Sequence, residues 1–225
     1  MKKYILFLLF FTLKFHAQSN YQVDYNLKIS DISENAIKDK YLKIAIKGSD
    51  LVHFTLIFNK DISLFSDQTK TQSREATLAK AWADYTEPIY TDLKSNKIFF
   101  YNKQTPVTQG KTYIINEDIL LDWQLTNQTK SIEGFTCYKA TGTYKQGGRY
   151  KNITAWYAPQ LPFSFGPMGY AGLPGLILEL HMDNVMLGAT KITKLHTLNK
   201  IEIPSQGILI SEDQYSKLIN SKSKR

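Results

Sequence analysis

The chain has 225 residues, 43% hydrophobic and 21% charged, with a formal net charge of +8. That length provides for one domain with a substantial core and leaves little for a second. The positive excess is scattered and not interleaved with aromatic residues, which excludes a basic nucleic-acid surface as the expected partner site. Only Lys222, Lys224 and Arg225 gather, at the C-terminus, where a solvated tail is the ordinary outcome.

Residues 1–17 read as a secretory signal. Lys2 and Lys3 supply the basic start, and residues 4–13 form an apolar stretch too short to span a bilayer. Phe15-His16-Ala17 precedes Gln18, so cleavage is expected after Ala17. Removal of Lys2, Lys3 and Lys14 then lowers the charge from +8 to +5 and leaves residues 18–225 as a single β-rich domain. No cysteine lies near the site for lipid attachment, and no later segment is long and apolar enough to cross a membrane. The expected location is the periplasm, the outer membrane's surface or the exterior.

Period-2 alternation dominates the chain beyond the signal. Tyr21, Val23, Tyr25, Leu27 and Ile29 alternate with polar residues as a half-buried first strand. Residues 52–58 and 61–65 flank Asn59-Lys60 as a hairpin. Residues 72–85 break the pattern: Ala76, Leu78, Ala79, Ala81 and Trp82 recur at helical spacing, with Ser73 as N-cap. Residues 88–93 and 97–101 form a second hairpin around Lys94-Ser95-Asn96. Strands are expected at 112–116, 123–126 and 134–144, with Gly134 as a bulge or close-approach position. Strand 150–157 follows the turn Gly147-Gly148, and strands 176–182 and 187–195 complete the sheet. Residues 211–219 form a short terminal helix. The expected fold is mainly β: a curled antiparallel sheet or open half-barrel with one or two packed helices. By fold analogy this is the architecture of periplasmic lipoprotein carriers.

The densest local signal is G-P-M-G-Y-A-G-L-P-G-L-I-L-E-L, residues 166–180. Its core is Gly172, Leu173, Pro174, Gly175, Leu176 and Ile177. Glycine allows positive φ and close backbone approach, whereas Pro167 and Pro174 lock φ and lack an N–H donor. Either Gly172 or Gly175 is expected at a positive φ or in a crowded position. Upstream lie Trp123-Gln124-Leu125, T-K-S-I-E-G-F-T-C-Y-K-A at 129–140, Gly148-Arg149, Ala155-Trp156-Tyr157, Leu161-Pro162 and Gly166-Pro167. In this order they resemble the motifs of the GLPGLI family, secreted proteins of bacteria with two membranes. The resemblance covers residues 123–180 and implies export, without an established activity.

Residues 160–175 place Leu161, Phe163, Phe165, Met168, Tyr170 and Leu173 among four glycines and three prolines. These apolar side chains either plug the end of the sheet or line a binding lip. As a lip, Phe163, Phe165, Met168, Tyr170 and Leu173 would contact a ligand or partner. On strand 176–182, alternation sets Leu176, Leu178, Leu180 and Met182 on one face and Ile177, Glu179, His181 and Asp183 on the other. Glu179, His181 and Asp183 form a carboxylate–imidazole–carboxylate row capable of acid–base or metal chemistry; a solvated strand face is the plainer reading. His53 and His196 have no ligand spacing, and Met168, Met182 and Met186 read as core filler rather than soft-metal ligands. Cys137 is the sole cysteine, so no internal disulfide is available, and its strand context predicts a buried thiol. The Asn127 and Asn152 N-x-[ST] matches carry no weight.

The functional expectation is a non-enzymatic envelope module, without a cofactor, that binds an apolar ligand such as a lipid, a peptide or an outer-membrane transport complex. The alternative is a hydrolase, metal-assisted or not, built on Glu179, His181 and Asp183.

Overall fold

A computed structural model describes residues 20–30, 39–102, 108, 110–119, 122–146, 149–198 and 200–222, without the side chains of residues 102 and 144–150. The expected signal and its cleavage site, the Gly147-Gly148 turn, and Lys224 and Arg225 lie outside the described residues.

The elements, in chain order, are β1 (Asn20–Ile29), α1 (Lys40–Ser49), β2 (His53–Phe58), β3 (Ile62–Asp67), α2 (Arg74–Trp82), β4 (Ile89–Asp92), β5 (Lys97–Asn102), β6 (Tyr113–Asp118), β7 (Gln124–Ile132), β8 (Phe135–Gln146), β9 (Arg149–Ala158), β10 (Leu176–Met182), β11 (Val185–Leu195), β12 (Ile208–Ser211) and α3 (Glu212–Lys222). Among the described residues twelve strands join one open sheet in the order β12-β6-β5-β4-β3-β2-β1-β11-β10-β9-β8-β7.

The core sits on one face of this sheet. Val23, Tyr25, Leu27 and Ile29 of β1 are buried there beside Phe54, Leu56 and Phe58 of β2 and Phe65 of β3. Tyr85 closes an aromatic cluster, with ring centroids 4.7 Å from Phe54 and 5.9 Å from Phe65. The opposite face of β1 is polar: Asp24 accepts from Gln22 and Thr55, and Asn26 meets the His53 ring at 2.8 Å.

Helices α1 and α2 cover the core face. Ser73 caps α2 as expected, its hydroxyl accepting from the Ala76 N–H at 3.2 Å. Helix α1 is an addition to the sequence reading; Asp39 caps it, accepting from the N–H groups of Tyr41 and Leu42. The two helices touch backbone to backbone at Gly48, where an added Cβ would lie 2.1 Å from the Glu75 carbonyl oxygen. Lys80 ties α2 to β3 through Asp67 at 2.5 Å.

Three expectations need correction. The sheet is mixed, because β12 runs parallel to β6. The helices number three among the described residues, not one or two. Gly134 is not a bulge inside a strand: Glu133 (φ 48°) and Gly134 (φ 81°) form the two-residue turn between β7 and β8. Strand β7 therefore continues to Ile132, well past residue 126, and its mostly exposed residues left no alternation to reveal it.

Between β11 and β12 the chain crosses from the middle of the sheet to its edge. Pro204, Ser205 and Gln206 line a cleft together with Tyr90 and Tyr101, and Gly207 approaches Ile114. The strand register puts Tyr90, Tyr101 and Ile114 on the face opposite α1 and α2. This crossing strap thus lies over the β4–β6 part of the second face.

Candidate functional site

The signature loop is a folded plug. A 3-10 turn spans Pro167–Gly169, with Met168 at φ 57° and Gly169 at φ 80°. Gly172 takes φ 90°, with open space where a Cβ would lie. Gly175 is crowded: a Cβ would lie 2.4 Å from the Ala158 carbonyl oxygen. Gly166 is crowded by Ile177, whose Cβ would be 2.7 Å away. The loop's main chain is pinned by N–H donations from Gly172 to Ser164, from Leu176 to Leu161 and from Ile177 to Phe165. The Trp123 indole adds a donation to the Ala171 carbonyl at 2.9 Å.

The five lip candidates divide by burial. Phe165 and Leu173 are 0% and 1% exposed, so they present no surface to a ligand and belong to the plug. Phe163 is half-buried, its ring 4.9 Å from Tyr21 and 5.1 Å from Phe58. Met168 and Tyr170 are half-buried and packed against the same core.

The row on β10 also divides. Glu179 and His181 do share a face and touch, His181 Nε2 to Glu179 Oε1. Asp183 turns away: it sits at φ 51° in the β10–β11 turn and pairs with Lys151 at 2.6 Å. The strand has ended by Asp183, so alternation no longer governs its side chain. Among the described residues no three His, Cys, Asp or Glu side chains are grouped to hold a metal ion.

Two residues outside the sequence row complete the cluster. Lys130 of β7 reaches Glu179 Oε1 at 2.5 Å, and its ammonium lies 4.5 Å from the centroid of Trp156. Trp156 is the register partner of Glu179 across β9 and β10. Burial pushes the Glu179 carboxyl up, but the contacts from His181 and Lys130 outweigh it and hold its pKa below the ordinary value. Glu179 is thus an anchored carboxylate.

Cys137 lies beside this cluster as the register partner of Lys130. It is buried, and desolvation pushes its thiol up to about 11. A thiol so protonated is a poor nucleophile near neutral pH.

Two open clefts accompany these features. One, of about 420 Å³, is lined by Thr136, Tyr138, Tyr157, Pro159 and Gln160, at the entry to the signature loop. Its two tyrosine rings are 6.2 Å apart, and Tyr138 is 37% exposed. The second, of about 360 Å³, lies beneath the crossing strap between Pro88, Tyr90, Tyr101 and Pro204. The first draws on the start of β8, the end of β9 and the residues leading into the signature loop, a combination only the strand register discloses.

Residues 143–179 match the model of a family described as "Protein of unknown function (Porph_ging)". The chain is similar to that family from late β8 into β10. No curated protein matches the sequence. Solved structures share its fold, among them two of PNGF-II. PNGF-II in space group P21 has a TM-score of 0.57 and 15% identity, covering 91% of this chain and 34% of that one. PNGF-II in space group C2 has a TM-score of 0.56 and 15% identity, covering 91% and 33%. The chain therefore spans about a third of the length of the solved chains it matches, and at this identity the likeness is one of fold alone.

Proposed function

We propose that this protein is a non-enzymatic binding or accessory module of the bacterial envelope, of the GLPGLI type, exported by its N-terminal signal. The observation that carries this reading is the open cleft between Tyr138 and Tyr157, bordered by Pro159 and Gln160. Tyrosine faces offer apolar area with a polar rim, which suits a peptide side chain or a lipid tail. The plug supports the same reading, because Phe165 and Leu173 fix the loop that borders the cleft. The hydrolase alternative keeps one observation, the Glu179–His181 contact. Against it, Glu179 is engaged by Lys130, and Asp183 by Lys151.

Native mass spectrometry of the protein isolated from its own envelope tests the proposal. A retained lipid, peptide or protein, lost in Tyr138→Ser without loss of fold, is the expected result. Retention that is the same in Tyr138→Ser, or no retained molecule at all, would overturn it.

A further inference from the structure

We infer that β7 is a docking edge for an extended peptide, which adds to the sheet as a further strand and places one apolar side chain in the Tyr138–Tyr157 cleft. This rests on the binding reading above and names its ligand.

Strand β7 ends the sheet, with no further strand paired to it among the described residues. Its outward hydrogen-bonding groups follow from the hairpin. Ile132 and Phe135 flank the two-residue turn Glu133-Gly134. In such a hairpin the flanking pair exchanges both ladder bonds, and bonded and non-bonded pairs then alternate. Ile132–Phe135 and Lys130–Cys137 are therefore the bonded pairs. Ser131–Thr136 and Thr129–Tyr138 are the non-bonded ones, so Ser131 and Thr129 point N–H and C=O away from β8. Thr136, on the other side of its pair, confirms the phase. Its N–H points away from β7 and donates to Gln160 Oε1 at 3.2 Å.

The side chains agree with this edge. Ser131 and Thr129 share the face of Thr136 and Tyr138, and all but Tyr138 are small. An incoming strand would lie ~4.8 Å beyond β7, with every second side chain directed over that low ground toward Tyr138. The charge that would usually blunt an edge is absent from this face. Lys130 is committed on the other face to Glu179 and Trp156. The irregularity between Leu125 and Thr129 confines regular docking to the short run ending at Ile132. An acyl chain would leave the outward donors and acceptors unanswered; an extended main chain answers them at the spacing the strand sets.

The test uses random dodecapeptides displayed on phage, selected against the full chain, with enriched sequences resynthesised. Ser131→Pro is the diagnostic variant. It removes an outward N–H and no ladder bond, a position where an edge strand accepts proline. Binding should fall at least tenfold in Ser131→Pro at an unchanged melting temperature. N-methylation of alternate peptide amides should weaken binding to the wild-type chain by a similar factor, and methylation of the intervening amides should not. Tyr138→Ala should remove the preference for an apolar residue while the alternating methylation pattern persists. Failure to enrich any peptide, or binding indifferent to N-methylation, would overturn strand addition; the methylation series decides should Ser131→Pro fail to fold. A retained envelope lipid without peptide selection would overturn this inference and leave the binding module standing. Neither retention nor selection would overturn both.

Discussion

The Tyr25 hydroxyl donates to the main-chain carbonyl of Ile177 at 2.5 Å, across 152 residues of sequence. The bond joins β1 to the last residue of the signature core. Ile177 lies where the register with β9 shifts before Glu179, so its carbonyl meets a side chain from across the sheet. Tyr25 is fully buried, and desolvation raises its phenol well above the ordinary value, which keeps the hydroxyl protonated as a donor. Tyr25→Phe should lower stability by about 1–3 kcal/mol, the usual cost of leaving a buried polar group without its partner. A urea titration measures this, and an unmoved midpoint would refute it.

The signature glycines should rank by mechanism. Gly175→Ala drives a Cβ into the Ala158 carbonyl, whereas Gly172→Ala meets open space and suffers only its positive φ. The second change should cost on the order of 1 kcal/mol, and the first clearly more. Thermal melts of the two variants check the order, and equal losses would contradict it.

Truncating the plug should act on the fold. Phe165 is 0% exposed and packs on Phe58 with centroids 5.5 Å apart. Phe165→Ala should therefore destabilise by about 3–5 kcal/mol. Phe163→Ala should cost less, because Phe163 is half-buried. Chemical denaturation of both proteins gives the comparison. A near-native Phe165→Ala would return that side chain to the lip.

Glu179 should contribute to acid sensitivity. Its folded pKa is depressed, so the stability it supplies is present above the unfolded glutamate value, about 4.3, and is lost as pH falls through the folded value. Melting temperatures followed from about pH 6 downward should fall less steeply for Glu179→Gln than for the wild type. Parallel curves would show that the cluster makes no net contribution.

Cys137 should resist alkylation in the folded chain. Its thiol is buried and raised to about 11, so iodoacetamide at neutral pH should react at the rate of local or global opening. Denaturation should make the reaction rapid. Prompt labelling of the native protein would place the thiol at the surface instead.

The legible parts of this fold were those with local causes. Leu176–Met182 announced itself by an apolar run after a proline-glycine loop, and Ser73 by its capping position. Helix α1 escaped because Leu42, Ile44 and Ile46 alternate at strand spacing as readily as Leu42, Ala45 and Ile46 follow helical spacing. Strand β12 escaped because its partner is distant and parallel, so no turn chemistry foreshadowed the pairing. The site shows the same division. Alternation brought Glu179 and His181 together, but Lys130 arrives from β7, and nothing in residue spacing relates the two strands. Asp183 was misplaced because strand periodicity was carried one residue into a turn.

The crossing strap has a kinetic consequence. Strand β11 ends level with the start of β1, whereas β12 begins level with the start of β6, at the opposite end of the strands. The chain must therefore cross the sheet diagonally, and that diagonal makes the β12–β6 pair parallel. Seven strand spacings of ~4.8 Å come to ~34 Å for a flat sheet. Residues 196–207 reach at most about 40–45 Å when fully drawn out. In the assembled sheet that length leaves β12 little slack beside β6. The terminal strand and α3 form a clasp that opens first, and limited proteolysis should sever this end before it cuts the sheet behind it.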